Sequence, residues 1–112
     1  MTRTPQEVFR DHAKAMSSRD LETIVSDYAD DAVFITRNGV LHGKDGVREG
    51  FTRIFRDLPE PTFDVRTRIL EGDTLFLEWT ATSAASRADD GAETFRARDG
   101  QIVLQTVHYT VR

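Results

Sequence analysis

Cysteine is absent from this chain of 112 residues. Its absence excludes disulfides, thiol nucleophiles and cysteine-bound metals, and it sets the expectation of a cytoplasmic protein. Histidine is scarce, and the three copies at positions 12, 42 and 108 have no metal-ligand spacing, so no metal is expected. A full phosphate-loop pattern is also missing, since Gly43-Lys44-Asp45-Gly46 has only a fragment of it, and no cofactor is expected. No apolar run approaches the roughly 18 residues of a membrane span, and MTRTPQEVF has no apolar signal core. Membrane attachment is therefore not expected. Basic excess is lacking too: the formal net charge is −4 and the Lys and Arg residues are scattered. Nucleic-acid binding, which draws on clustered positive charge, is not expected either.

What is present is ordinary globular material, 38% hydrophobic and 30% charged. Residues 1–112 are long enough for one domain that buries roughly two-thirds of its unfolded surface. Thr4-Pro5-Gln6-Glu7 is a capping box with proline at the first helical position, so a helix starts there. Val8, Phe9, His12, Ala13 and Met16 form its apolar face. After the break at Ser17-Ser18-Arg19, Asp20 is a good N-cap for a second helix. Leu21, Ile24, Val25 and Tyr28 follow at the spacing of one helical face. Val33-Phe34-Ile35-Thr36 has strand character, Asn38-Gly39 turns the chain, and His42-Gly43 leads into a third helix. Val47, Phe51, Ile54, Phe55 and Leu58 line that helix, which Pro59 and Pro61 terminate.

From Thr62 the period becomes two. Phe63, Val65, Thr67 and Ile69 alternate with charged residues, as in a half-buried antiparallel strand. Glu71-Gly72-Asp73 turns into a strand from Leu75 to Thr80, and Ser83 to Gly91 reads as a mobile loop. Glu93–Arg98 and Ile102–Val111 form a last hairpin about Asp99-Gly100. Helices first and strands last give an α+β class, with helices on one face of a curved antiparallel sheet.

The ordered set of the Tyr28–Ala32 run, Gly39, His42-Gly43 and the Val47/Phe51 helix resembles the nuclear transport factor 2-like superfamily. More narrowly it is similar to its SnoaL-like and ketosteroid isomerase-like members. The resemblance spans essentially the whole chain. It implies a cone-shaped, cystatin-like fold: a curved antiparallel sheet wrapped around the N-terminal helices, with a ligand pocket at the open end. Val8, Met16, Tyr28, Phe34, Thr36, Phe51, Phe55, Trp79, Phe95, Gln105 and Val107 are the expected pocket residues.

Two polar residues on apolar faces are the catalytic candidates. His12 lies on the stripe of the first helix and titrates near neutrality, which suits acid/base work; the plainer reading is a satisfied core histidine. The resemblance places His12 where ketosteroid isomerases have an oxyanion-binding tyrosine. Glu93 shares strand parity with Phe95 and Ala97, and a buried unpaired carboxylate tends to keep its proton. Its plainer reading is a strand-end residue turned to solvent. The resemblance places it where those isomerases have a protonated aspartic acid. Thr36 stands where they have the catalytic aspartate, and threonine alone cannot abstract a carbon-bound proton. Tyr28 needs a partner for its hydroxyl, and His12 is the one expected.

The last hairpin has two readings. A two-residue turn would pair Glu93 with Thr106, whereas a three-residue loop with a bulge would pair it with Gln105. Arg98-Asp99-Gly100 and the resemblance favour the bulged form, which points Val103, Gln105, Val107 and Tyr109 inward. Ile102, Leu104 and His108 would then form an uncovered outer face, and a homodimer through that face is expected. The functional expectation is an apolar pocket for a small oxygen-bearing molecule. Its chemistry would be that of a cofactor-independent isomerase, cyclase or dehydratase. The alternative is a binding or association module of the same fold without chemistry.

Overall fold

The computed structural model describes residues 2–112. Helix α1 spans Pro5–Ser18 and opens with the expected capping box. The Glu7 N–H donates to Thr4 Oγ1 at 3.2 Å, and the Thr4 N–H donates to Glu7 Oε1 at 2.8 Å. Helix α2 is only Leu21–Val25, capped by Asp20. Tyr28 is therefore not on its face but opens strand β1, Tyr28–Thr36. A helical apolar spacing thus ends in a strand, because the chain needs its sheet partner as early as residue 28. Strand β2, Gly39–His42, leads directly into helix α3, Gly43–Asp57. Gly43 at φ 71° makes that turn, and any Cβ there would lie 3.1 Å from the Asp30 carbonyl oxygen.

Strands β3 (Thr62–Glu71), β4 (Thr74–Thr82), β5 (Arg87–Arg98) and β6 (Gln101–His108) complete one six-stranded sheet, ordered β2-β1-β6-β5-β4-β3. All neighbours are antiparallel except β1 and β6, which run parallel. That pairing departs from an all-antiparallel sheet. It follows from α3 and the β3–β4 hairpin intervening between β2 and the returning chain. Most of the stretch expected to be a mobile loop is strand: Ala81 pairs with Ala88 and Thr82 with Arg87, leaving only Ser83–Ser86 as connection. Small residues at Ala81 and Ala88 bury fully there, a packing reason that a loop-like composition conceals.

The sheet alternates by rows. Leu41, Phe34, Gln105, Phe95, Leu75 and Leu70 are paired in sequence across all six strands and form one inner row. Against it pack Phe9, Val47, Phe51 and Ile54 from α1 and α3, with Tyr28 fully buried between them. Phe51 meets Tyr28, Phe34 and Phe55 at ring separations of 5.6–6.3 Å. Each buried aromatic or aliphatic side chain of this kind contributes about 1.5–3 kcal/mol of transfer free energy.

The last hairpin follows neither register expected from the sequence. Its turn has two residues, with Arg98 opposite Gln101, and Asp99 and Gly100 both have positive φ, at 53° and 76°. That is the primed turn that matches strand twist. Between Ala97–Ile102 and Arg96–Leu104, Val103 is then an extra residue, so a bulge lies inside β6 rather than at the turn. Glu93 accordingly pairs with Val107, not with Thr106 or Gln105. The bulge lets both Ile102 and Gln105 face inward. Ile102 is 0% exposed, which corrects its assignment to the outer face; Leu104 is partly exposed and His108 exposed. Gln105 and Val107 are buried, while Val103 occupies the bulge and is only partly so.

Candidate functional site

Two cavities flank the core. The first, about 620 Å³, lies between α1, the end of α3 and the inner faces of β3, β4 and β5. Helical spacing brings Phe9, His12 and Met16 to it, and strand alternation brings Leu75, Leu77 and Trp79. Glu93 pairs with Leu77 and joins the same wall. Trp79 takes its place because it pairs with Gly91, where a Cβ would come within 2.2 Å of the indole. Glycine thus leaves the bed on which the ring lies.

Glu93 is held from behind. The Gln105 Nε2 amide donates to Glu93 Oε1 at 3.1 Å, and the Tyr28 hydroxyl donates to Gln105 Oε1. Gln105 is wholly buried in an otherwise apolar row, so this column of three polar groups is what satisfies it. Tyr28 does not bond to His12, the partner expected for it. The two rings meet edge to face at 5.9 Å.

Burial pushes the Glu93 carboxyl up, to about 7, against smaller lowering contributions from the Gln105 donor and the nearby Trp79 indole. Glu93 is half-buried. That remaining exposure is to the cavity, and the surrounding protein still strips the charge of most of its hydration, which favours the protonated carboxyl. The Trp79 indole nitrogen reaches no hydrogen-bond geometry and is buried without a partner. Burial moves His12 the other way, down to about 4. Its Nδ1 is buried and unpartnered, which leaves Nε2 as the ring nitrogen through which the cavity can reach the imidazole. Near neutral pH the wall thus offers a neutral imidazole and a carboxyl close to its midpoint. Among the described residues, no lysine or arginine forms an ion pair with Glu93, and no charged group contributes to either shift. Among the described residues, no set of three His, Asp or Glu side chains could hold a metal.

The second cavity, about 320 Å³, lies on the far side of Ile54, which borders both. It takes Phe34, Thr36 and Val107 from the expected pocket set, together with Tyr109 and three arginines. Thr36 caps the β1–β2 turn there, accepting from the Asn38 N–H at 3.0 Å. It therefore does not share a cavity with His12 and Glu93. Val8, Tyr28, Phe51, Phe95 and Gln105 belong to the packed core between the cavities, and Phe55 packs against that core without lining either. An expected single pocket is thus divided, because Phe51 and its aromatic neighbours fill the middle of the cone.

Sequence reasoning missed Phe9, Phe63, Leu75 and Leu77 as wall residues, although their parity with Trp79 or His12 carried the signal. The Tyr109 hydroxyl donates to the Asp57 carboxylate at 2.8 Å, and nothing local in the sequence announces that contact across 52 residues.

The sequence pattern of the SnoaL-like domain family matches residues 9–105. No curated protein matches the chain. Among solved structures, an NTF2-like protein of unknown function from Burkholderia xenovorans is 21% identical, with a TM-score of 0.76, covering 95% of this chain and 82% of that one. A SnoaL-like protein of unknown function from Burkholderia thailandensis is 23% identical, with a TM-score of 0.72 and coverage of 95% and 94%. TerC, co-crystallised with polyporic acid, is 19% identical, with a TM-score of 0.73 and coverage of 95% and 91%. At these identities the likeness is one of fold. With the family pattern running through α1, both flanks of the first cavity and the buried Gln105, this chain belongs to the SnoaL-like domain family.

Proposed function

We propose that the first cavity binds a small apolar molecule bearing a carbonyl or enol oxygen, and that His12 and Glu93 move its protons. The carrying observation is that one cavity wall holds two titratable groups shifted in opposite senses by burial, Glu93 to about 7 and His12 to about 4. Groups driven apart in this way divide acid and base roles between them. The neutral His12 imidazole is the base for a proton next to the carbonyl. The protonated Glu93, positioned by Gln105, donates to the oxygen on which charge develops. Returning the imidazolium proton to another carbon, while Glu93 takes back the enol proton, completes an isomerisation; loss of a β-hydroxyl as water, protonated by the His12 imidazolium while Glu93 takes back the enol proton, completes a dehydration. Neither route draws on a cofactor. TerC, of the same fold, is crystallised with a small molecule, polyporic acid, which supports the cavity as a ligand site.

The test uses β-tetralone, an apolar ketone with an acidic neighbouring carbon. In deuterated buffer the protein should accelerate deuterium uptake beside the carbonyl, and both Glu93→Gln and His12→Gln should lower that rate by about 10²-fold or more. Exchange at the buffer rate with binding intact would leave the non-catalytic alternative. Exchange unchanged in both variants would end the acid/base assignment.

We also infer that the uncovered sheet face pairs with a second copy of the chain. Val40, Ile35, Thr106, Thr94, Phe76 and Ile69 form one outer row across all six strands, and Val40 and Ile69 are each at least half exposed. Leu104 lies in the next outer row beside Val33. A continuous apolar and threonine row is self-complementary about a twofold axis.

A further inference from the structure

We propose that the second cavity is a separate site for a small organic carboxylate, with Arg37 as its anion-binding group. The protein carries a net charge of −4, yet three arginines and one aspartate line this cavity: Arg37, Arg53, Arg56 and Asp57. The positive charge is concentrated here against the sign of the whole molecule. The neighbouring carboxylates are engaged in ways that matter for the assignment. Asp57 accepts from the Tyr109 hydroxyl at 2.8 Å and lies 3.9 Å from Arg56, while Glu49 is paired with Arg53. Asp90 is held by the Thr110 N–H and hydroxyl, both at 2.8 Å, and lies 3.7 Å from His108.

Arg37 stands apart. Its guanidinium makes only long contacts, 3.3 Å to Thr110 Oγ1 and 3.5 Å to each His108 ring nitrogen. Among the described residues it has no carboxylate within 4 Å. It sits on the β1–β2 turn, where the chain has no packing reason to keep a long cation. A planar guanidinium fork fits a carboxylate in bidentate fashion. Behind the rim the cavity is apolar, with Phe34, Ile54, Val107 and Val111 on its walls, and Gly50 lies flat because a Cβ there would come within 2.6 Å of the Phe34 ring. That floor has no use for a bare inorganic ion and suits the hydrocarbon part of an organic acid. The volume, about 320 Å³, lies at the lower end of the range for small-molecule sites. Glu93 and Val107 are paired across β5 and β6, one facing each cavity, so the two sites are adjacent but lined by different groups.

Isothermal titration with benzoate at constant ionic strength tests this. Benzoate should bind saturably, and benzamide, of the same shape without the charge, should bind about ten- to hundredfold more weakly, the range expected for losing one charge-assisted hydrogen-bond pair. Arg37→Gln, a change on an exposed turn, should weaken benzoate by the same factor, while Glu93→Gln should leave it unaltered. Equal binding of benzamide and benzoate, or an unchanged affinity in Arg37→Gln, would overturn the assignment. Inorganic phosphate binding as tightly as benzoate would overturn the organic part of it. Loss of benzoate binding in Glu93→Gln would move the ligand to the first cavity and refute a separate site. Failure of the acid/base reading at His12 and Glu93 would touch none of these results.

Discussion

Replacing Glu93 with glutamine should change how stability depends on pH in a way that only an inward, proton-holding carboxyl can produce. In the folded chain the Glu93 carboxyl titrates at about 7, against an ordinary value of 4.5. Between those limits the native state binds a proton that the unfolded state has lost, so stability falls as pH rises through the window. At about 1.4 kcal/mol per pH unit, the interval from 4.5 to about 7 corresponds to about 3 kcal/mol. His12 acts with the opposite sign. Its ordinary value is 6.5 and burial lowers it to about 4, so its contribution is present above pH 6.5 and is lost as pH falls towards 4, again by about 3 kcal/mol. Across pH 4.5–6.5 the two slopes oppose each other and largely cancel in the wild type. Each single variant should unmask the group that remains.

Glutamine at 93 keeps the shape, can still accept from Gln105, and has no charge to desolvate. Urea unfolding of wild type and Glu93→Gln at pH 5 and pH 8 is the assay. At pH 5 the two proteins should differ little, and at pH 8 the variant should be the more stable by up to about 3 kcal/mol. His12→Gln should behave in reverse, matching wild type at pH 8 and exceeding it at pH 4. Parallel stability curves for wild type and Glu93→Gln would place the carboxylate in solvent and refute the reasoning.

Trp79 is the chain's one tryptophan and shares the cavity wall with Glu93, so its fluorescence should titrate with a midpoint near 7, and Glu93→Gln should abolish that transition. Tyr28→Phe should cost about 1–3 kcal/mol by thermal or chemical denaturation, because it leaves a buried acceptor on Gln105 without its donor; a neutral result would mean that the hydroxyl is not holding that amide. Leu104→Asp should turn a dimer into a monomer in sedimentation velocity without lowering folding stability appreciably, since Leu104 lies on the outer face. An unchanged dimer would put the contact elsewhere.

The fold was legible where local chemistry decides it. The Thr4 capping box, the Asp20 cap, Gly43 at positive φ and the alternation from Phe63 each act within a few residues. Tyr28 was misread because its helical spacing from Leu21 is real, but its strand partner is Ile102, far along the chain, whose N–H donates to the carbonyl of the preceding Asp27 at 2.9 Å. Ser83–Gly91 was misread because small residues signal both loops and tightly packed strands, and Ala88 is the latter. In the site, parity alone brought Glu93 inward with Phe95. The separation of Thr36 from His12 was not legible, since it depends on how Phe51, Tyr28 and Phe34 fill the space between them.

The bulge at Val103 shows why register, and not composition, decides what this sheet can do. In an unbulged strand starting from an inward Ile102, the next inward residues would be Leu104 and Thr106, and Gln105 would face solvent. One extra residue preserves Ile102 in the core and also turns Gln105 to meet Tyr28 on one side and Glu93 on the other. A buried glutamine in an apolar row is costly by itself, and the two partners offset that cost only because they arrive from β1 and β5 at the matching height. Glu93 in turn is fixed with one oxygen occupied by the Gln105 amide, so its other oxygen is the one available to a molecule in the cavity. The polar column and the acid it presents are consequences of a single residue of strand slippage, placed three positions after a two-residue turn.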